Sequence, residues 1–160
     1  MEGLLKKVYN SPKLALTFRI CCYIVTLASA CVFIYMLASL AASSLARAAG
    51  LSVALGVPFL LVSLTRRLIN SPRPYQIYDF YIAPPKKRQG ESFPSRHAFS
   101  VFAIGTMCLF FDPLIGTLSL VAGVIMCFCR VALGMHFVRD VICGAFIGIF
   151  SSVIGALILL

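Results

Sequence analysis

Charge is scarce in this chain. Of its 160 residues 61% are hydrophobic and only 12% charged, with just five acidic residues and a mean hydropathy of +0.98. A soluble domain averages roughly half apolar and a quarter charged residues, so the polar surface here is too small to cover the apolar excess. The chain is read as a membrane protein. About 20 apolar residues cross a bilayer, which leaves room for one domain, residues 1–160, and excludes a separate water-soluble catalytic domain. There is no polar, basic, aromatic-interleaved region to hold nucleic acid, so no nucleic-acid partner is expected. The seven cysteines have neither disulfide nor zinc spacing and read as small buried hydrophobes. Two histidines and five carboxylates are a thin ligand set for zinc or magnesium, and no metal or cofactor is expected. A small-residue cleavage site is also missing after the lysine-bearing start, so residues 1–14 are kept as an N-terminal interfacial segment rather than a removed signal.

What charge there is has one sign. Fourteen Lys and Arg leave a net +9, which in so apolar a chain points to anionic headgroups or an anionic substrate. Apolar sequence fills 15–42, 48–64, 97–111, 114–133 and 136–160, giving an all-α polytopic bundle of about five spans, with six possible. The linker of small residues near 43–47 is short enough to force antiparallel neighbours, and Asp112-Pro113 marks a turn. Gly144, Gly148, Ser151, Ser152 and Gly155 fall roughly on one helical face and predict close helix packing.

Residues 70–94 differ in composition. Five prolines (Pro72, Pro74, Pro84, Pro85, Pro94), the run Lys86-Lys87-Arg88, and Tyr75, Tyr78, Phe80 and Tyr81 forbid a continuous helix and suit the headgroup layer, so this segment is read as an interfacial active-site loop. Chain parity then gathers the remaining polar residues. With five spans, Arg66 and Arg73 after the second, Ser95, Arg96 and His97 at the start of the third, Arg130 at the end of the fourth, and His136 and Asp140 in the first turn of the fifth all fall on one side at one depth.

Each has two readings. The arginines anchor helix ends, or their planar forks bind phosphate oxygens, with Arg73 aimed by the flanking Pro72 and Pro74. Pro94 or Ser95 stands near the N-cap of the third helix in either case, but that N-terminus also offers free N–H groups to an anion. His136 and Asp140 are four residues apart, so the carboxylate can accept from Nδ1–H and leave Nε2 as nucleophile or base; alternatively Asp140 pairs with Arg139 or Arg130. The capping and anchoring readings do not account for the chain's only two histidines both standing at helix starts on this side.

Together these residues resemble the type 2 phosphatidic acid phosphatase superfamily, integral membrane lipid phosphatases whose site is related to that of vanadium haloperoxidases. The family pattern reads Lys-x6-Arg-Pro, Pro-Ser-Gly-His and Ser-Arg-x5-His-x3-Asp. Here it appears, in order and at matching spacing, as Arg66-x6-Arg73-Pro74, Pro94-Ser95-Arg96-His97 and Cys129-Arg130-x5-His136-x3-Asp140. Arg66 stands for lysine, Arg96 for glycine and Cys129 for serine, and the family commonly has six spans. The resemblance implies metal-independent phosphoryl transfer: His136 attacks phosphorus, Asp140 orients it, and His97 protonates the leaving oxygen and then activates water. Arg66, Arg73, Ser95, Arg96 and Arg130 would hold the phosphate.

The expected substrate is a lipid phosphate or diphosphate, such as phosphatidic acid, phosphatidylglycerol phosphate, undecaprenyl diphosphate or a phosphorylated lipid A, embedded among membrane lipids. The alternative is a non-catalytic lipid-phosphate binder or small transporter, for which the arginines alone would suffice; a purely structural protein leaves the polar cluster without a role. The side of the pocket is pulled two ways. Apart from the four arginines among the expected phosphate ligands, the other basic residues stand on the pocket side except Arg47, which by the positive-inside rule means the cytoplasm. Resemblance favours the extracytoplasmic face of the cell membrane, and that is the expectation carried forward, with the N-terminus and the 70–94 loop on one side.

Overall fold

The structure, a computed structural model, describes residues 2–78 and 90–159. Phe80, Tyr81, Pro84, Pro85 and the basic run Lys86-Lys87-Arg88, on which part of the loop reading rests, lie outside the described residues. All regular structure among the described residues is helical: α1 (Glu2–Tyr9), α2 (Pro12–Ser43), α3 (Leu45–Ile69), α4 (Pro74–Ile77), α5 (Arg96–Leu109), α6 (Pro113–Ala132) and α7 (Val138–Leu159).

The breaks follow local chemistry. Ser11 caps α2, accepting from Leu14 N–H at 3.4 Å, with Pro12 in the first turn where its missing N–H costs nothing. Ser44 alone separates α2 from α3, closing one helix through its N–H to the Leu40 carbonyl and capping the next through its hydroxyl to Arg47 N–H, so the expected short linker shrinks to one residue and the helices run antiparallel. Asn70, left-handed at φ 43, ends α3. Asp112 caps α6 at 3.0 Å ahead of Pro113, the turn expected from sequence.

Four segments are long and apolar enough to cross a membrane: Pro12–Ser43, Leu45–Ile77, Pro113–Ala132 and Val138–Leu159. The third of the five expected spans, α5, has 14 residues. At 1.5 Å per residue it measures about 21 Å, short of the roughly 30 Å hydrocarbon core. It is the central post, packed by α2, α3, α6 and α7. Its Val101 joins an apolar cluster with Leu5, Val8, Val25, Met126 and Leu133, while Phe99, Ala103 and Met107 join another with Met36, Leu51, Val62 and Ala156.

The small residues of α7 make this central position possible. A Cβ on Gly144 would strike the Ser95 carbonyl, and one on Gly148 would lie 2.6 Å from the Phe99 carbonyl oxygen. A Cβ on Gly155 would lie 2.9 Å from the Ala54 Cβ of α3, and Ser152 donates to the Ala103 carbonyl at 2.7 Å. Backbones in this contact touch directly, as the small-residue face predicts. The cysteines are all free, but only Cys22, Cys108 and Cys129 are fully buried; Cys31 is exposed on α2, against the expectation that all seven are buried.

Candidate active site

Five helix ends meet at one end of the bundle. Arg66 lies in the last turn of α3, Arg73 is the N-cap of α4, Ser95 caps α5, Arg130 ends α6, and His136 and Asp140 flank the start of α7. All six are buried, with Ser95 and Asp140 at 0% exposure and His136 at 1%. The N-terminal helix stands at the same end, because Leu5 and Val8 pack with Ala132 and Leu133.

Buried guanidinium groups need acceptors. The described residues 90–95 supply most of them. Gly90 and Glu91 both have left-handed backbones, φ 74 and 53, and the turn presents their carbonyls to the arginines. Arg66 donates to Pro94 O at 2.7 Å and to Glu91 O; Arg73 donates to Gly90 O at 3.0 Å, Met135 O at 3.3 Å and Glu91 O at 3.4 Å. Arg130 reaches Met135 Sδ at 3.6 Å. The turn is held in place by Asn70 Oδ1, which accepts from Glu91 N–H, and by Gln76 Oε1, which accepts from the N–H groups of Gly90 and Arg73. A Cβ on Gly90 would run into the Asn70 amide, so glycine is required there on both backbone and steric grounds. Arg66 Nε and Arg130 Nε remain buried with no protein acceptor.

The histidine–carboxylate pair differs from the expectation in one respect. His136 is not in the first turn of the last helix but just before it, since α7 begins at Val138. Asp140 reaches back to cap that helix, its Oδ2 accepting Phe137 N–H at 2.9 Å. This brings the same oxygen to 3.6 Å from His136 Nδ1, an ion-pair distance longer than a direct hydrogen bond. Ser92 stands between them, with its hydroxyl donating to Asp140 Oδ2 at 2.5 Å and lying 3.5 Å from His136 Nδ1. Burial pushes the His136 imidazole down to about 4; Asp140 opposes that shift, and the positive charges of Arg73, Arg130 and Arg66 add to it. The imidazole is therefore neutral at physiological pH.

Arg96 and His97 occupy the flank. Both are half-buried in the first turn of α5 and line a groove of about 460 Å³ that continues along Ser29, Phe33, Phe59 and Ile104 between α2, α3 and α5. The Arg96 guanidinium lies 6.0 Å from the Phe59 ring centre. Cys129, one of the departures from the family pattern, belongs to the apolar cluster with Met126 and Ala132. Among the described residues no group of three or more His, Cys, Asp or Glu side chains could hold a metal ion.

Sequence reasoning missed Ser92, Met135 and the carbonyls of Gly90 and Glu91. Backbone acceptors leave no residue-type signature. Ser92 stands in a stretch singled out for its prolines, aromatics and basic run, and its contact with Asp140 spans 48 positions.

Comparison with known proteins adds three findings. The family model for the PAP2 superfamily matches residues 21–159. No curated protein matches the chain. Among solved structures, Aquifex aeolicus LpxE is similar with a TM-score of 0.71 and 26% identity, over 96% of this chain and 92% of that one. The first transmembrane PAP2 type phosphatidylglycerolphosphate phosphatase from Bacillus subtilis matches with a TM-score of 0.65 and 21% identity, over 96% of this chain and 81% of that one, which is a likeness of fold.

Proposed function

The chain belongs to the PAP2 superfamily, and from that membership and the polar cluster at the end of its bundle we propose that it is a metal-independent membrane phosphatase of a lipid phosphate or diphosphate. The observation that carries this reading is a buried, neutral histidine surrounded by three guanidinium groups from separate parts of the chain, two of which keep an unused Nε–H. A phosphate brought to these donors would find its charge compensated and its phosphorus near a neutral nitrogen nucleophile.

The sequence of events follows from the residues. His136 Nε2 attacks phosphorus in line with the bond to the lipid oxygen, that bond breaks, and His97 gives the leaving oxygen a proton. The phosphoryl group now sits on Nε2, and the positive ring is stabilised by Asp140. His97, having lost its proton, takes one from water, whose oxygen attacks phosphorus; the Nε2–P bond breaks and its electron pair returns to His136. Arg66, Arg73 and Arg130, with Ser95, Arg96 and the N–H groups at the start of α5, hold the equatorial oxygens throughout.

The groove beginning at Arg96 and His97 suits the apolar part of the substrate, because it is lined by Ala30, Phe33, Phe59 and Ile104 and lies inside the membrane-spanning part of the bundle. Phosphatidic acid, phosphatidylglycerol phosphate, prenyl diphosphates and phosphorylated lipid A all combine such a tail with a terminal phosphate. We place the protein in the cell membrane with the site on the extracytoplasmic face. The test is phosphate release from a panel of these lipids by the protein purified in detergent, with and without excess EDTA. Release that persists under chelation is expected. Binding without release would favour the non-catalytic binder, and loss restored by a divalent ion would overturn the metal-free route.

A further inference from the structure

Ser92 has no role in the motif that the site residues match, yet its hydroxyl is fully enclosed beside the histidine–carboxylate pair. Its exposure is 0%. Its N–H is tied to the Ser71 carbonyl at 2.9 Å, which fixes the backbone from which the side chain projects. The hydroxyl has one short bond, 2.5 Å to Asp140 Oδ2, and lies 3.5 Å from His136 Nδ1. Asp140 Oδ2 thus takes donors from Ser92 and Phe137, while Oδ1 has no hydrogen-bond partner and only the Arg139 Nε at 3.6 Å.

We propose that Ser92 is a positioning residue of this site: by donating to Asp140 Oδ2 it fixes the carboxylate beside His136 and draws off part of the negative charge that faces Nδ1. A short bond to an ionised oxygen is among the stronger hydrogen bonds and restricts rotation of the carboxylate. It also leaves less charge on that oxygen to pull a proton onto the imidazole. The two effects serve one end, a histidine that is oriented by Asp140 yet not protonated by it, with Nε2 available as nucleophile. The other charges on His136 are Arg66 from α3, Arg73 ahead of α4 and Arg130 from α6, and a change at Ser92 removes none of them. The kinetic part of this inference rests on the phosphatase reading; the electrostatic part does not.

The chain has only two histidines, so the imidazole signals of histidine-labelled protein in detergent micelles can be assigned with a His97→Gln control and titrated without substrate. In Ser92→Ala the His136 titration is expected to move up by about half a pH unit or more, because the carboxylate loses a donor, while His97 stays where it was. Ser92→Thr, which keeps the hydroxyl, is expected to titrate like the unaltered protein. In turnover, Ser92→Ala is expected to lose about tenfold or more in kcat with KM within about threefold, and the acid limb of its pH profile is expected to rise with the titration. If the alanine variant does not fold, Ser92→Cys, similar in shape but a much weaker donor, is expected to shift His136 the same way. A His136 titration that is unmoved or moved down in the folded variant overturns the proposal. If the unaltered protein releases phosphate from no lipid, the phosphatase reading falls while the titration still decides the role of Ser92.

Discussion

An imidazole taken out of water among guanidinium groups holds its lone pair rather than a proton, which is the form a phosphoryl acceptor needs. His136→Ala is accordingly expected to lower phosphate release by at least roughly a thousandfold, about 4 kcal/mol of barrier. Asp140→Asn, which keeps the shape and loses the charge, is expected to be severe but measurable; near-normal turnover in His136→Ala would reject the nucleophile assignment. The same burial links this residue to stability. Its value falls from 6.5 in the unfolded chain to about 4 in the folded one, so between those limits the unfolded chain binds more protons. The stability contributed by neutral His136 is complete above about pH 6.5 and is lost as pH falls toward 4. Thermal unfolding in detergent is expected to show that decline, and His136→Ala to blunt it; equal declines in both proteins would contradict it.

At the scale of helices the decisive contact is α5 against α7. Adding a methyl group at Gly148 forces the Phe99 carbonyl away, and overpacking of this kind costs about 1–3 kcal/mol. A Cβ on Gly144 would strike the carbonyl of Ser95, whose N–H donates to the Asp140 carbonyl at 2.9 Å, so the two helix starts are joined through the site itself. Gly148→Ala is therefore expected to lower the unfolding temperature with modest effect on kcat in the remaining folded protein, whereas Gly144→Ala lowers kcat as well. Equal kcat in the two variants would show that α5 and α7 do not transmit this displacement to the site. The groove between α2, α3 and α5 gives a second helix-level expectation. Ala30→Phe narrows it away from the phosphate site, so KM should rise more for long-tailed than for short-tailed lipid phosphates, and a uniform rise across tail lengths would place the tail elsewhere.

For the whole molecule, the consequence of the helix order is a one-ended arrangement of its polar parts. Leu5 and Val8 of α1 pack on the end of α6 that carries Arg130, and Tyr75 N–H donates to the Gly134 carbonyl at 3.2 Å, so the N-terminal segment, the described part of the 70–94 loop and the site share one end. Arg47 lies just past the Ser44 break, at the far end of α2 and the start of α3. After replacement of the native cysteines, Ser11→Cys and Gln89→Cys are expected to react with an impermeant thiol reagent from the same side of intact cells and Arg47→Cys from the other. Gln89 lies outside the described residues, and its labelling also tests whether that stretch stays on the pocket side. Reaction of Ser11→Cys and Gln89→Cys from opposite sides would break the one-ended topology.

Composition alone determined the class of this protein, because an apolar excess with so few charges can be accommodated only in lipid. Spacing and parity pointed to the candidate site residues: helix starts and stops are local events set by serine, aspartate, proline and glycine, and counting crossings then gathers distant polar residues on one side. What only the tertiary structure decided is how those residues are held. It made α5 a short central post packed on several sides, moved His136 off the helix into the bend before it, and supplied Ser92, Met135 and the carbonyls of residues 90–94 as partners. The physical reason is reach. Periodicity and capping concern residues within about four positions of one another, whereas Ser92 meets Asp140 across 48 positions and Arg73 meets Met135 across 62, through contacts that exist only once the helices have packed.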